Sequence, residues 1–190
     1  MKNEEMSLRT KKNLAAALKV RMERMDFQKI KVSDLLRDCD ISRTTFYYYF
    51  ADIYELLEWM LETEGADLLK KCDESYTWDQ GVLLFMQYCA KNSKMCLCCL
   101  NSIGRAAMEQ MFFKDAYSVM ERYVENTFSD IKACRKEKEF IIEFYVRAYA
   151  SSLVAWLTEG MKKTPEEMLN LLDITVKGGL EDALRRSANK

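Results

Sequence analysis

VSDLLRDCDISRTTFYYYF, residues 32–50, reads as two short helices joined by a tight turn. Val32 to Cys39 is the first helix, burying Leu35, Leu36 and Cys39 on one side. Asp40 follows, and aspartate tolerates the left-handed conformation better than most residues with a side chain, so a sharp turn is expected there. Ser42 stands as the N-cap of the second helix, RTTFYYYF. That helix carries five consecutive rings, Phe46 to Phe50, although one helix buries only one face. Phe46 and Phe50 are four apart, share a side with Ile41 and are predicted to face inward. Thr44 with Tyr48, and Arg43 with Tyr47, are further i, i+4 pairs predicted to face outward.

Two short helices with a three- or four-residue turn form a helix-turn-helix unit. The N-terminal residues of its second helix read base edges, which gives that role to Arg43 and Thr44. A tyrosine hydroxyl can bond a phosphate while its ring packs on sugar or a thymine methyl. Two rings are therefore expected to hold the helix down, and Tyr47, Tyr48 and Tyr49 to face DNA. Charge points the same way. The whole chain has net charge −1, but residues 1–50 hold eleven Lys/Arg against seven Asp/Glu. From Thr10 to Met25 an apolar stripe of Leu14, Leu18, Met22 and Met25 predicts an amphipathic helix, with Lys11, Lys12, Lys19, Arg21 and Arg24 on its outer surface. Phe27 and Ile30 are expected to be pinned into the core from a loop.

The segment from about Arg9 to Leu57, and within it KIKVSDLLRDCDISRTTFYYYFADIYELL, resembles the N-terminal domain of the TetR family of transcriptional regulators. The pattern of Ser42, a basic residue, two small residues, an aromatic, Tyr47 and Phe50 resembles that family's recognition helix. The resemblance implies a helix-turn-helix DNA-binding domain, placed at residues 1–51, and a helical effector-binding and dimerisation domain at 52–190. The DNA-facing set is Lys31, Ser33, Ser42, Arg43, Thr44, Thr45, Tyr47, Tyr48 and Tyr49. Three positions depart from the family pattern. Lys31 stands where a capping threonine is usual, Asp40 where the turn glycine is, and Ile53 where a backbone-contacting lysine is common.

The remainder reads as helical throughout. Pro occurs once and Gly six times, and the composition is rich in good helix formers. The expected fold is all-α: a three-helix N-terminal domain and an antiparallel C-terminal bundle, about nine helices in all. Helices are predicted over Asp52 to Cys72, Trp78 to Asn92, Phe140 to Glu159 and onward from Pro165, with one or two more between Arg105 and Ile131. Thr164, Pro165 and Glu167 form a capping box. Phe85, Tyr88, Met111, Phe112, Phe144 and Tyr145 are candidate walls of a pocket for a small apolar or aromatic effector. The last two helices resemble those with which TetR-family members pair as a four-helix bundle. Ala148, Ser152 and Ala155 permit close approach there, Trp156 is a candidate anchor, and Leu171 and Thr175 face them from the last helix.

Other classes have little to rest on. Histidine is absent, which removes the commonest general base and metal ligand. No P-loop, G-x-S-x-G or G-x-G-x-x-G occurs. The chain is therefore read as a non-enzyme without cofactor or metal. No apolar run approaches the roughly 20 residues of a membrane span, and no signal peptide is apparent. The expected location is the cytoplasm, where the seven cysteines stay reduced. Cys96, Cys98 and Cys99 are read as buried small hydrophobes, with redox or soft-metal sensing as the alternative. The expected partners are double-stranded DNA and a second copy of the chain. A repressor released by its effector is the expected mode, and control by a partner protein the alternative.

Overall fold

The structure is a computed structural model that describes residues 2–71 and 77–189. Those residues form eight α-helices, one 3-10 turn and no strand. The helices are α1 (Lys2–Met22), α2 (Val32–Cys39), α3 (Arg43–Tyr49), α4 (Ile53–Leu69), α5 (Trp78–Lys91), α6 (Ser93–Thr127), α7 (Arg135–Thr158) and α8 (Pro165–Ala188). The chain divides into two compact units, Met1–Asp67 and Leu68–Lys190. The division falls inside α4. Along α4, Tyr54 meets Phe27 edge to face, Trp59 meets Phe50, and Glu64 pairs with Lys19, which attaches most of this helix to the first unit. The Cys72 end predicted for this helix lies outside the described residues.

In the first unit, Leu14, Leu18 and Met22 of α1, Leu35 of α2, Phe46 of α3 and Leu56, Leu57 and Met60 of α4 are all buried. Phe27 and Ile30 are buried from the connecting segment, as their isolation from any helical stripe implied. Met25 is exposed, because α1 ends at Met22 and the stripe ends with it. α1 also begins at Lys2, eight residues before the expected start at Thr10.

Local capping chemistry sets the ends of the short helices. Asp40 adopts φ 50°, ψ 51°, and its turn lets the Ile41 N–H donate to Leu36 O. Lys31 precedes α2 and has no side-chain acceptor. Only the return half of a capping box forms there, with the Lys31 N–H donating to Asp34 Oδ2 at 3.3 Å. Asp52 caps α4, its Oδ1 accepting from the N–H groups of Tyr54 and Glu55 at 2.7 and 2.9 Å.

The second unit is a bundle in which α6 packs chiefly on α7, and α8 on α5 and α7. α6 is broken at Gly104, whose φ of 83° and ψ of 167° suit only glycine. Its two arms replace the single region expected after Arg105; the first holds the cysteine-rich run. α7 starts at Arg135, five residues before the predicted Phe140. It is long and apolar enough to cross a membrane by composition. It buries Ile142, Val146, Tyr149, Leu153 and Val154 and carries a Glu143–Arg147 ion pair, so it is read as the core helix of the bundle. The reversal into α8 uses Gly160 and Met161, both left-handed. Their N–H groups donate to Leu157 O and Trp156 O. The Thr164–Glu167 capping box opens α8 with Pro165 at its first turn.

Candidate nucleic-acid interface

Helix α3, expected to read DNA, is built from its cap outward. Ser42 Oγ accepts the Thr45 N–H at 3.0 Å and lies 2.8 Å from Thr45 Oγ1. Both hydroxyls are thus engaged in starting the helix. Phe46 and Phe50 are buried, their rings tilted at 50° with centroids 6.0 Å apart, holding the inner side. On the outer side Arg43 and Thr44 are exposed, Tyr47 is 47% exposed and Tyr48 80% exposed. The Arg43 guanidinium lies over the Tyr47 ring, 5.6 Å from its centroid. Lys31 and Ser33 are exposed at the start of α2. Tyr49 departs from the expected three outward rings. It is half-buried, with its ring edge-on to Tyr48 at 4.9 Å.

The basic surface expected on α1 is largely engaged within the unit. Lys19 Nζ reaches both oxygens of Glu64 at 2.9 and 3.0 Å. Arg21 clasps Asp38 through Nε and Nη2, at 2.6 and 2.9 Å. This contact holds the Asp38 carboxyl below its usual range and raises the Arg21 guanidinium. Lys11 lies among aromatic rings. Lys12 and Arg24 are exposed. Sequence could not separate these cases, because the partners of Lys19 and Arg21 stand 45 and 17 residues away.

The second unit distributes its candidate residues unevenly. Phe85 and Phe112 meet edge to face at 4.9 Å, and Tyr88 and Met111 are half-buried. Phe144 is 59% exposed and so stands outside any enclosed site, touching Tyr145 at 5.6 Å. Tyr145 itself reaches α8: its hydroxyl sits 2.6 Å from where a Cβ on Gly179 would lie. Tyr149, not singled out from sequence, sets its ring edge to face with Trp78 at 5.0 Å and buries its hydroxyl without a hydrogen-bond partner among the described residues. Burial raises that hydroxyl far above its usual range.

Of the expected dimer residues, Ala148, Leu171 and Thr175 are exposed and Ser152 and Ala155 half-buried. Trp156 is 3% exposed, and its Nε1–H donates to Lys163 O at 2.9 Å. It therefore anchors the reversal between α7 and α8 inside the unit. Phe140 and Ile174, given no surface role from sequence, are exposed, Ile174 at 82%. An i, i+4 row of Phe140, Phe144 and Ala148 was the signal available.

Cys89, Cys96 and Cys99 are buried, and Cys99 Sγ lies 3.6 Å from Met95 Sδ. A hydrogen bond to Cys96, together with burial, pushes the Cys89 thiol well up. No group of three acidic, cysteine or histidine ligands suited to a metal occurs among the described residues.

Residues 76–178 match a family model described as the C-terminal region of a transcriptional regulator. A 90-residue stretch is 36% identical to the HTH-type dhaKLM operon transcriptional activator DhaS of Lactococcus lactis subsp. lactis, strain IL1403. That stretch covers 47% of this chain and 48%, about half, of the relative. The solved structure of a dihydroxyacetone kinase operon activator DhaS superposes with a TM-score of 0.71 at 25% identity, covering 88% of this chain and 96% of that one. A TetR transcriptional regulator from Streptococcus agalactiae 2603V shares the fold, with a TM-score of 0.61 at 20% identity over 93% and 98% of the two chains. The exposed outer side of α3, the all-helical bundle and a family match across more than half of the sequence lead to one conclusion: the chain belongs to the TetR family of transcriptional regulators.

Proposed function

We propose that the chain acts as a homodimer that lays two copies of α3 into successive major grooves of an inverted-repeat operator. The carrying observation is the two-sidedness of α3. Phe46 and Phe50 fix it from within, while Arg43, Thr44, Tyr47 and Tyr48 stand in solvent. A short helix held from within, with an exposed guanidinium and hydroxylated rings, can read base edges and grip phosphate. The two-fold arrangement follows from the operator geometry, with half-sites about 34–36 Å apart or a multiple of it.

Phe140, Phe144, Ala148, Leu171 and Ile174 supply an exposed apolar surface on α7 and α8 that supports pairing of two copies. Selection of duplexes from a random pool at stated salt tests the DNA reading, and enrichment of a palindrome tests the two-fold one. Ile174→Asp is expected to give a monomer by light scattering with weaker operator binding; a dimer unchanged in both would refute this interface.

The buried hydroxyl of Tyr149 supports control by a small molecule in the second unit. An unsatisfied buried donor costs about 1–3 kcal/mol, and an effector bearing an acceptor would relieve it. The likeness to DhaS, named as an activator, favours activation as a second reading beside the repression expected from sequence. Placing the selected operator upstream of a reporter promoter, or overlapping it, separates the two signs.

A further inference from the structure

Lys11 projects from α1 into a cluster of three rings. Its Nζ lies 5.8 Å from the Tyr49 centroid, 5.6 Å from Phe50 and 5.8 Å from Trp59. Each distance is within the roughly 6 Å over which an ammonium is drawn to a ring face. No carboxylate among the described residues forms an ion pair with it, in contrast to Lys19 and Arg21 on the same helix. The three rings belong to two elements. Tyr49 ends α3, Phe50 is its C-cap, and Trp59 lies on α4. Phe50 and Trp59 also meet each other at 5.9 Å, and Phe50 continues the cluster to Phe46 under the recognition helix.

We propose that Lys11 is a positioning residue: its ammonium, shared by Tyr49, Phe50 and Trp59, fixes the C-terminal end of the recognition helix against α1 and α4 and so sets the presentation of Tyr47 and Tyr48 to DNA. The proposal rests on the DNA-binding reading of α3 but assigns Lys11 no contact with DNA. It also accounts for the half-burial of Tyr49, whose ring serves the cage in place of an outward position. A helix of seven residues is too short to hold itself. Its N-terminus is fixed by the Ser42 cap and its inner side by Phe46, while its last turn depends on what lies around Tyr49 and Phe50.

Lys11→Met keeps the length and the apolar stem and deletes the charge, and Lys11→Arg keeps a cation that stacks on rings at least as well. The full-length proteins are compared in two ways. Hydrogen exchange without DNA is expected to be about fivefold faster across residues 43–50 in Lys11→Met, unchanged in α5 to α8, and near the native rate in Lys11→Arg. Affinity for a duplex selected by the unaltered protein is expected to fall about fivefold in Lys11→Met, with the slope of log K against log salt unaltered, and to recover in Lys11→Arg. A slope reduced by about 0.9, the signature of one lost phosphate contact, would make Lys11 a DNA ligand and overturn the proposal. Native exchange rates in Lys11→Met, or an arginine variant as impaired as the methionine one, would overturn it as well. If no duplex is enriched at all, the DNA-binding reading fails, and the exchange comparison still decides whether Lys11 holds the helix.

Discussion

The Arg21 guanidinium clasps both carboxylate oxygens of Asp38, Nε at 2.6 Å and Nη2 at 2.9 Å, and so binds α1 to α2. The same guanidinium approaches Asp34 Oδ2 at 3.9 Å, and Arg37 closes on Asp34 at 3.0 Å. Such a fork is more specific in geometry than a lysine pair. Its pH behaviour follows from sign. The Asp38 carboxyl is held below its ordinary value by the Arg21 hydrogen bond. The folded state therefore gains from its ionised form above the unfolded value of about 3.9, and that gain disappears as pH falls through the folded value. Asp38→Asn is expected to lower the urea midpoint at pH 7 and to differ less from the native chain at pH 3. A difference independent of pH would assign the loss to packing.

Deleting outward groups on α3 should separate binding from stability. Tyr48 is 80% exposed, so Tyr48→Ala is expected to leave the melting temperature unchanged and to weaken operator binding. Arg43→Ala is expected to cost about 1–3 kcal/mol of binding and to relax preference at one base position. Phe46→Ala, by contrast, removes a fully buried ring and should cost about 3–5 kcal/mol of stability. Melting curves and binding isotherms on the same preparations distinguish the two classes. A Tyr48→Ala protein that melts early would make that tyrosine structural.

What could be read from the sequence was what local spacing dictates. The Ser42 and Thr164 caps, the inward pair Phe46 and Phe50, and the left-handed Asp40 each depend on residues within about four positions, where helix geometry leaves little choice. What local spacing leaves open is tertiary. Trp156 is apolar and next to small residues in either a core or an interface, and only the fold of the reversal at Gly160 and Met161 decides between them. The basic face of α1 likewise looked free for phosphate until Glu64 and Asp38 were brought beside Lys19 and Arg21. Of the candidate pocket, the contact of Phe85 with Phe112 formed and Phe144 went outside, because an aromatic at helical spacing does not state which neighbour it will face.

Gly179 and Tyr145 make a pair whose coupling can be measured. A Cβ at Gly179 would lie 2.6 Å from the Tyr145 hydroxyl oxygen but 3.6 Å from Cζ. Gly179→Ala alone is therefore expected to destabilise the second unit by about 1–3 kcal/mol through overpacking. Tyr145→Phe removes the clashing atom, so the double variant should recover most of that loss, a coupling that a denaturation cycle on the four proteins reads directly. Additive effects would mean that the ring moves aside freely, and Tyr145 would then remain open to line an effector site.

The thiols test whether the cysteine-rich start of α6 is core or sensor. Cys134 is exposed, whereas Cys89, Cys96 and Cys99 are buried among apolar groups. A hydrogen bond to Cys96 and burial raise the Cys89 thiol well above its ordinary value, so it stays protonated and unreactive near neutral pH. Brief alkylation of the native protein is expected to modify Cys134 first among these and to leave Cys89, Cys96 and Cys99 intact, as mass spectrometry of peptides would read. Mild peroxide should then leave DNA binding unchanged. Preferential modification of Cys96 or Cys99 in the folded protein, with a matching loss of DNA affinity, would restore the sensing alternative, because a thiol that reacts from inside a packed helix pair must be exposed by a functional opening of α5 against α6.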